Sequence, residues 1–463
     1  MNLQSHFSRK YPQALYNNFL QALNRLPAGR LTRPPARSEH PIGSLRRLHS
    51  LRPLTAFLIT SGLLTLTALL VAGWHVHVDG WTVGLNPLFI DGWRADYMAY
   101  VPRMRYLHSP HFYDFCEYWY PWYYPPAAIF IHLPFFYISI HIMWTYTAYA
   151  TLSLVVFAGL LWVVFRKLAN LGLSKPWAVC FVFISFATAW PLYFSIQRGN
   201  FESLIWPLSA LGVWLFCRKS YSGSSILIGI AGAIKLYPLL LLFLFFSERR
   251  YKNILAGLGA FAILNLLAAR FIEPSILDSM RQSVMAVTAW TIRYTLHATA
   301  REPGYDHSLF CLLKVLIRPK ESRLLLMLQS YFLIASITFG VVFFKKVIHQ
   351  PVLNQALFLT CCMTILPPTS FEYALLSLYI PWAWLVVQTF SYESAPKYLT
   401  LLMVLFAIIF APLTFFLSHG IPVLTPGKSI CIMLLAVIAA VKPLDHHASV
   451  ANTIAETPMM ANV

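Results

Sequence analysis

Apolar runs of about 17 to 25 residues recur from Leu54 to Val441, and each is long enough to cross roughly 30 Å of hydrocarbon as a helix. Lipid gives backbone N–H and C=O groups no partner, so such runs must close their hydrogen bonds internally. The expected fold class is an all-α, polytopic helical membrane protein. Composition agrees: of 463 residues only 11% are charged and 16% are aromatic, with a mean hydropathy of +0.61. That is far too apolar for a soluble chain of this length.

A net charge of +18 would suggest nucleic acid as a partner in a soluble protein. Here the cations concentrate in the first 52 residues and in short clusters between apolar runs, so they report topology and no nucleic-acid partner is expected. Residues 1–53 read as a basic cytoplasmic tail, with Arg33, Pro34, Pro35, Arg37, Arg46 and Arg47 on anionic lipid. No small-residue cleavage pattern follows Leu54 to Trp74, which reads as a retained signal anchor crossing outward. Residues 75–125 then form a first outer loop. Ala127 to Phe165 is too long for one helix and holds Pro134, so a half-spanning element and a full crossing are expected, ending at Arg166 and Lys167 on the cytoplasmic side.

The segment between the basic clusters Arg218–Lys219 and Arg249–Lys252 contains Gly229, Gly232 and Pro238. A re-entrant helix pair satisfies both clusters, whereas a single crossing over 223–247 would invert everything after it. A second large outer loop is expected over residues 271–323, and residues 443–463 form a C-terminal tail. The membrane domain is thus 54–442, with about ten crossings and both termini cytoplasmic. In this topology the four most polar interruptions, RADYMAY, SIQRGNFE, GYDHSL and PPTSFEY, all fall on the outer side. One extracytoplasmic site assembled from distant segments is the expectation.

Asp96, Tyr100 and Arg103 are spaced to project from one helical face, with Pro102 ending that helix. Two readings stand. Asp96 pairs with an arginine in an interfacial helix anchored by tyrosines, or the costly carboxylate acts as a general base on a hydroxyl, with Asp91 as the nearby competitor. The aromatic-rich EYWYPWYYPPAAIF fits an interfacial belt or a wall for sugars and isoprenoid chains. Gly199 permits a tight turn, while Gln197, Arg198, Asn200 and Glu202 present polar groups at the membrane edge. Lys235, a cation within an apolar run, either snorkels or serves as counter-charge to a lipid phosphate.

Phosphate-loop, HExxH, CxxC and GxSxG patterns do not occur, so nucleotide, zinc and serine hydrolysis lack their usual signals. The histidines show no metal-like spacing apart from His446 and His447, and neither metal nor cofactor is expected. Cys116 and Cys311 fall in candidate outer loops, which leaves a disulfide between them open.

The order of the motifs resembles glycosyltransferase family 87. It runs D-x-x-x-Y (Asp96, Tyr100), F-Y-D (Phe112 to Asp114), Y-P-P (Tyr124 to Pro126), a Q-x-G-N-like turn (Gln197 to Asn200) and G-x-x-x-A-x-K-x-x-P (Gly229, Ala233, Lys235, Pro238). Asp306 to Leu309 is similar to that family's N-Q-S-L and PPTSFEY to its P-x-S-W-x-H. The departures are Asp306 and His307 for Asn and Gln, Phe371 for Trp, and Glu372 or Tyr373 where a histidine is usual. The resemblance, over residues 50–390, implies a GT-C type helical bundle with its active site on the outer face of the cell membrane. It implies Asp96 as general base in an inverting transfer of a hexose, mannose by analogy, from a polyprenyl-phosphate sugar to a glycolipid or glycan acceptor. Tyr100, Arg103, Tyr124, Gln197, Arg198, Asn200, Glu202, Lys235, His307, Ser308, Glu372 and Tyr373 are the candidate substrate-binding residues. Arg103, Arg198, Lys235 and His307 are the candidates for charge facing the departing phosphate. A transporter or flippase is the rival class, but the chain shows no internal repeat, which transporters usually carry.

Overall fold

The computed structural model describes residues 42–79, 95–109, 112–113, 122–138, 142–296, 306–389, 397–418, 421–422 and 424–444. Most of the N-terminal tail, Asp91, Asp114, Cys116, the run 117–121, residues 297–305, His446 and His447 lie outside the described residues, and with Cys116 the suggested disulfide. Among the described residues the regular structure is helical except for an isolated bridge between Asp306 and Phe371 and one antiparallel pair, β1 (Leu417–Ser418) with β2 (Ile421–Pro422).

The α-helices are α1 Ile42–Asp79, α2 Ala95–Tyr100, α3 Ile129–Ile138, α4 Ile142–Asn170, α5 Lys175–Ala187, α6 Trp190–Arg198, α7 Glu202–Cys217, α8 Tyr221–Ile234 and α9 Leu244–Ser247. After these come α10 Tyr251–Ile272, α11 Ile276–Trp290, α12 Leu309–Ile317, α13 Glu321–Lys345, α14 Val352–Ile365, α15 Tyr379–Thr389, α16 Lys397–Phe410 and α17 Thr425–Val441. Among the described residues five segments are long and apolar enough to cross a membrane: Leu51–Trp74, Ile142–Asn170, Lys175–Arg198, Tyr251–Ile272 and Glu321–His349. Seven further apolar helices run only 10–17 residues, short of the roughly 20 that an upright crossing takes. The expectation of about ten crossings counted several of these short helices as full spans.

The run Ala127 to Phe165 is a short helix followed by one of full crossing length, as expected, with α3 ending at Ile138 and α4 beginning at Ile142, but Pro134 is not the break between them, since α3 runs through it. Gly229 and Gly232 do not break a helix either, since α8 continues to Ile234 and ends where Lys235 turns extended at φ −139°. Pro238 then starts a 3-10 helix over Tyr237–Phe243 that packs back on α8 and runs into α9. The segment is therefore two helical limbs joined at Lys235. Residues 271–323, the expected second outer loop, carry α11, a π turn over Thr291–Leu296, and α12.

The glycines of α8 serve packing. A Cβ on Gly229 would run into the carbonyl of Gly257 on α10, so the two backbones touch, as small residues permit between helices in lipid. α8 packs between α7 and α10, α1 lies against α16, and α14 against α17. The largest core includes Tyr379 stacked on Phe410 at 3.9 Å and Trp382 stacked with Phe181. A second core docks Tyr100, Phe112, Tyr113, Trp122 and Tyr124 onto Ile205, Ala231, Ala268 and Ile272. The described rings of the first loop are thus interior packing, with Trp122 at 0% exposure, and not a belt facing headgroups.

Gly229→Ala is expected to destabilise the protein by about 1–3 kcal/mol through overpacking, while Gly259→Ala, where a Cβ meets nothing within 4 Å, is neutral or slightly stabilising. Thermal unfolding of the two purified variants in one detergent checks the contrast.

Candidate active site

Asp96 lies in the first turn of α2, a six-residue helix that stops at Tyr100. Pro102 then opens a 3-10 turn over Pro102–Tyr106, so Arg103 leaves the face it was expected to share with Asp96 and Tyr100. It is turned inward, 3% exposed, with Nη1 donating to the Phe112 carbonyl at 3.4 Å.

The turn after α6 meets α2 because of Gly199. Its φ is +70°, and a Cβ there would collide with Tyr97. Only glycine satisfies both the left-handed backbone and the close approach. The approach brings Arg198 Nη2 to 3.2 Å from one Asp96 oxygen and Asn200 Nδ2 to 2.7 Å from the other. Asp96 is 5% exposed, while the Arg198 side chain is 27% exposed. Gln197, half-buried, is the last residue but one of α6.

Asn200 is fully buried and uses both ends of its amide. Nδ2 donates to Asp96 and to the Tyr124 hydroxyl at 3.2 Å, while Oδ1 accepts from Lys235 Nζ at 2.8 Å and from the Glu202 N–H at 3.1 Å. Partners of this kind fix which end is oxygen, because a carboxylate only accepts and an ammonium only donates. Lys235 Nζ also meets Glu202 Oε2 at 2.9 Å, and the Tyr237 hydroxyl donates to the same oxygen. Its ammonium faces the rings of Tyr373 at 4.7 Å and Tyr124 at 5.6 Å, a favourable electrostatic placement. Lys235 does not snorkel: it is 7% exposed and points into this network.

The four ionisable groups Asp96, Arg198, Glu202 and Lys235 balance in charge. Beside them Tyr100 packs edge-on against Trp122, Tyr123 and Tyr124, and Tyr123 stacks on Trp290 at 4.6 Å. Burial, reinforced by Tyr123 and by the Asp96 carboxylate, pushes the Tyr100 and Tyr124 phenols well above their ordinary range. Both therefore stay protonated, as hydroxyls able to donate.

His307, Ser308 and Glu372 are gathered into a second cluster. Glu372 accepts from Lys428 Nζ at 2.8 Å on both oxygens, and His307 Nε2 lies 3.4 Å from it; all three side chains are 0% exposed. Burial alone would raise the Glu372 carboxyl, but Lys428 and His307 hold it below its usual value. Asp306 accepts from the backbone N–H groups of Ser308 and Ser370, and Ser308 caps α12 through the Cys311 N–H. The clusters stand back to back, because Glu372 enters one while its neighbour Tyr373 faces Lys235 in the other. Among the described residues no group of three or more His, Cys, Asp or Glu could hold a metal ion.

Four participants were not anticipated from the sequence. Lys428 stands just before an apolar run, where a cation reads as an ordinary flank, and so lacked the signal that marked Lys235 inside one. Tyr237 gave none beyond its neighbours, and the Tyr149 and Ser195 hydroxyls that hold the Asn200 carbonyl read as ordinary residues of apolar helices.

The model of glycosyltransferase family 87 matches residues 122–371, more than half of the 463 residues. The chain belongs to glycosyltransferase family 87. As a family 87 member it is a membrane glycosyltransferase, an assignment that takes precedence over the transporter reading. The matched span contains Tyr124, the turn from Arg198 to Glu202, Lys235 and His307, begins after Asp96 and ends just before Glu372. No curated protein and no solved structure matches the chain.

In this family 87 enzyme, Lys235→Met is expected to cost about 3–5 kcal/mol by leaving the Glu202 carboxylate buried without its cation. Lys235→Met combined with Glu202→Gln should recover most of that loss. A double-mutant cycle on thermal unfolding in detergent measures the coupling.

Proposed function

We propose that the enzyme transfers a hexose, mannose by family analogy, from a polyprenyl-phosphate donor to a glycolipid or glycan acceptor, inverting the anomeric centre. The membrane domain is 54–442, and the end carrying Asp96 faces the extracytoplasmic side of the cell membrane, with both termini cytoplasmic. The basic clusters at Arg166, Lys167, Arg218, Lys219, Arg249 and Arg250 support that orientation.

Asp96 is the general base. The observation that carries this reading is a nearly buried carboxylate from the first loop, held at one oxygen by Arg198 and at the other by Asn200. A carboxylate offers about four acceptor positions, so these two bonds leave capacity for an acceptor hydroxyl. The base removes the O–H proton as that oxygen bonds to the anomeric carbon on the face opposite the donor phosphate. The bond from that carbon to the phosphate oxygen breaks, and its electron pair leaves on the polyprenyl phosphate. Arg198, the most exposed cation of the network, faces the departing phosphate and stabilises its growing charge. Lys235 is held by Glu202 and Asn200, and supports the site by fixing them. Tyr373, half-buried, supplies a hydroxyl and a ring face to the sugar, while Tyr100 and Tyr124 support the site from the second core.

Asp96→Asn keeps the size of the side chain and removes the base. Transfer in membranes supplied with labelled polyprenyl-phosphate hexose and native lipid extract should fall by about 10²-fold or more, at unchanged amounts of inserted protein. Equal transfer by the variant and the wild type would remove Asp96 from catalysis.

A further inference from the structure

Behind the turn that carries Asn200 lies a cluster of four buried hydroxyls to which the proposed reaction assigns no role: Tyr149 and Ser153 on α4, Ser195 on α6 and Ser203 on α7. Each is 0% exposed. Tyr149 hydroxyl donates to the Asn200 carbonyl at 2.5 Å and lies 3.2 Å from the Ser195 carbonyl. Ser195 Oγ donates to the same Asn200 carbonyl at 2.8 Å, and the Asn200 N–H closes the turn on the Ser195 carbonyl at 2.9 Å. Ser203 Oγ in turn donates to the Tyr149 hydroxyl at 3.1 Å and pairs with Ser153 Oγ at 2.7 Å.

We propose that Tyr149 is a positioning residue for the general base, acting through Asn200. The proposal rests on the reading of Asp96 as that base. A tyrosine hydroxyl has one proton to give, and its shortest contact is the Asn200 carbonyl. The Asn200 side chain is the only link, among the contacts described, that joins Asp96 to Lys235. A turn in apolar surroundings has no water to hold a carbonyl in place, so two hydroxyls from neighbouring helices fix both the height and the rotation of the peptide. Losing one lets Asn200 shift, and with it the Asp96 oxygen 2.7 Å away. Misplacement of a catalytic group by a fraction of an ångström lowers the rate of the chemical step while leaving donor contacts elsewhere intact.

The same helix provides the control. Tyr146 hydroxyl donates to the Ile196 carbonyl at 2.8 Å, a backbone bond to the same turn that does not touch Asn200. Steady-state transfer is measured for Tyr149→Phe, Tyr146→Phe, Ser195→Ala, Asp96→Asn and the double variant Tyr149→Phe with Asp96→Asn, each matched for folded protein by size exclusion in detergent. Tyr149→Phe is expected to lower kcat about tenfold with donor KM changed less than about twofold, and Ser195→Ala to fall in the same direction. Tyr146→Phe should stay within about twofold of wild type. Adding Tyr149→Phe to Asp96→Asn should bring no further loss, because groups that act as one unit are not additive.

Transfer lost in Asp96→Asn but intact in Tyr149→Phe would overturn this proposal alone. So would equal losses in the two tyrosine variants, or a full further loss in the double variant, since each marks a merely structural hydroxyl. Full transfer by Asp96→Asn would overturn the reading of the base and this proposal with it.

Discussion

One side-chain amide joins the parts of this site. Asn200 spends Nδ2 on Asp96 and Tyr124 and Oδ1 on Lys235 and the Glu202 N–H, so three segments distant along the chain converge on the side chain of this one turn. An amide suits the position because it offers two N–H donors, to the carboxylate and the tyrosine, and on a separate atom an acceptor to the ammonium. A carboxylate there would repel Asp96, and an ammonium would repel Lys235. In surroundings of low dielectric either mismatch is expensive. The geometry around Asn200 thus depends on charge order: acid, amide, cation, acid.

That order also explains the backbone around it. A six-residue helix such as α2 has little stability of its own, and Asp96 would wander were α2 not clamped. The clamp is steric as well as polar. Tyr97 stacks on Phe201 at 5.8 Å and lies against Gly199, the left-handed residue of the opposing turn. The same device recurs between α8 and α10, where Gly229 meets Gly257. Close approach in the second case delivers α8 to the position from which Lys235 leaves its helix, so helix packing and site geometry are one arrangement.

The helical membrane character was legible in the apolar runs, and so were the polar interruptions that converge, because lipid tolerates few polar groups and those that remain stand out. Asp96, Arg198, Asn200, Glu202 and Lys235 were all visible for that reason. Helix boundaries were less so. Pro134 was read as a break, yet it lies inside α3, which continues only four residues beyond it, so its cost is confined to one missing donor and a local distortion in a short helix. Gly229 was read as a breaker because its packing partner, Gly257, lies 28 residues on, and no local pattern announces such a contact. The tyrosine and serine hydroxyls behind Asn200 were invisible, since a hydroxyl in an apolar helix is as often bonded to its own preceding turn, as Ser153 is to the Tyr149 carbonyl.

The second cluster shows how the chain accommodates its own departures from the family pattern. Glu372 or Tyr373 is read as standing where a histidine is usual, and the Glu372 carboxylate at 0% exposure requires a cation. Lys428 supplies it from the first turns of α17, with His307 alongside. The cost of burying the pair is offset only while both members are present, so Glu372 and Lys428 are bound to each other energetically although 56 residues apart. Their position matters because the 3-10 helix that begins at Glu372 rotates each successive residue by about 120°. With Glu372 fixed in the cluster, Tyr373 is directed away from it, toward Lys235. A buried ion pair remote from Asp96 thereby sets where an aromatic face sits beside Lys235 in the candidate site, and a change at Lys428 would be transmitted to Tyr373 through its neighbour Glu372.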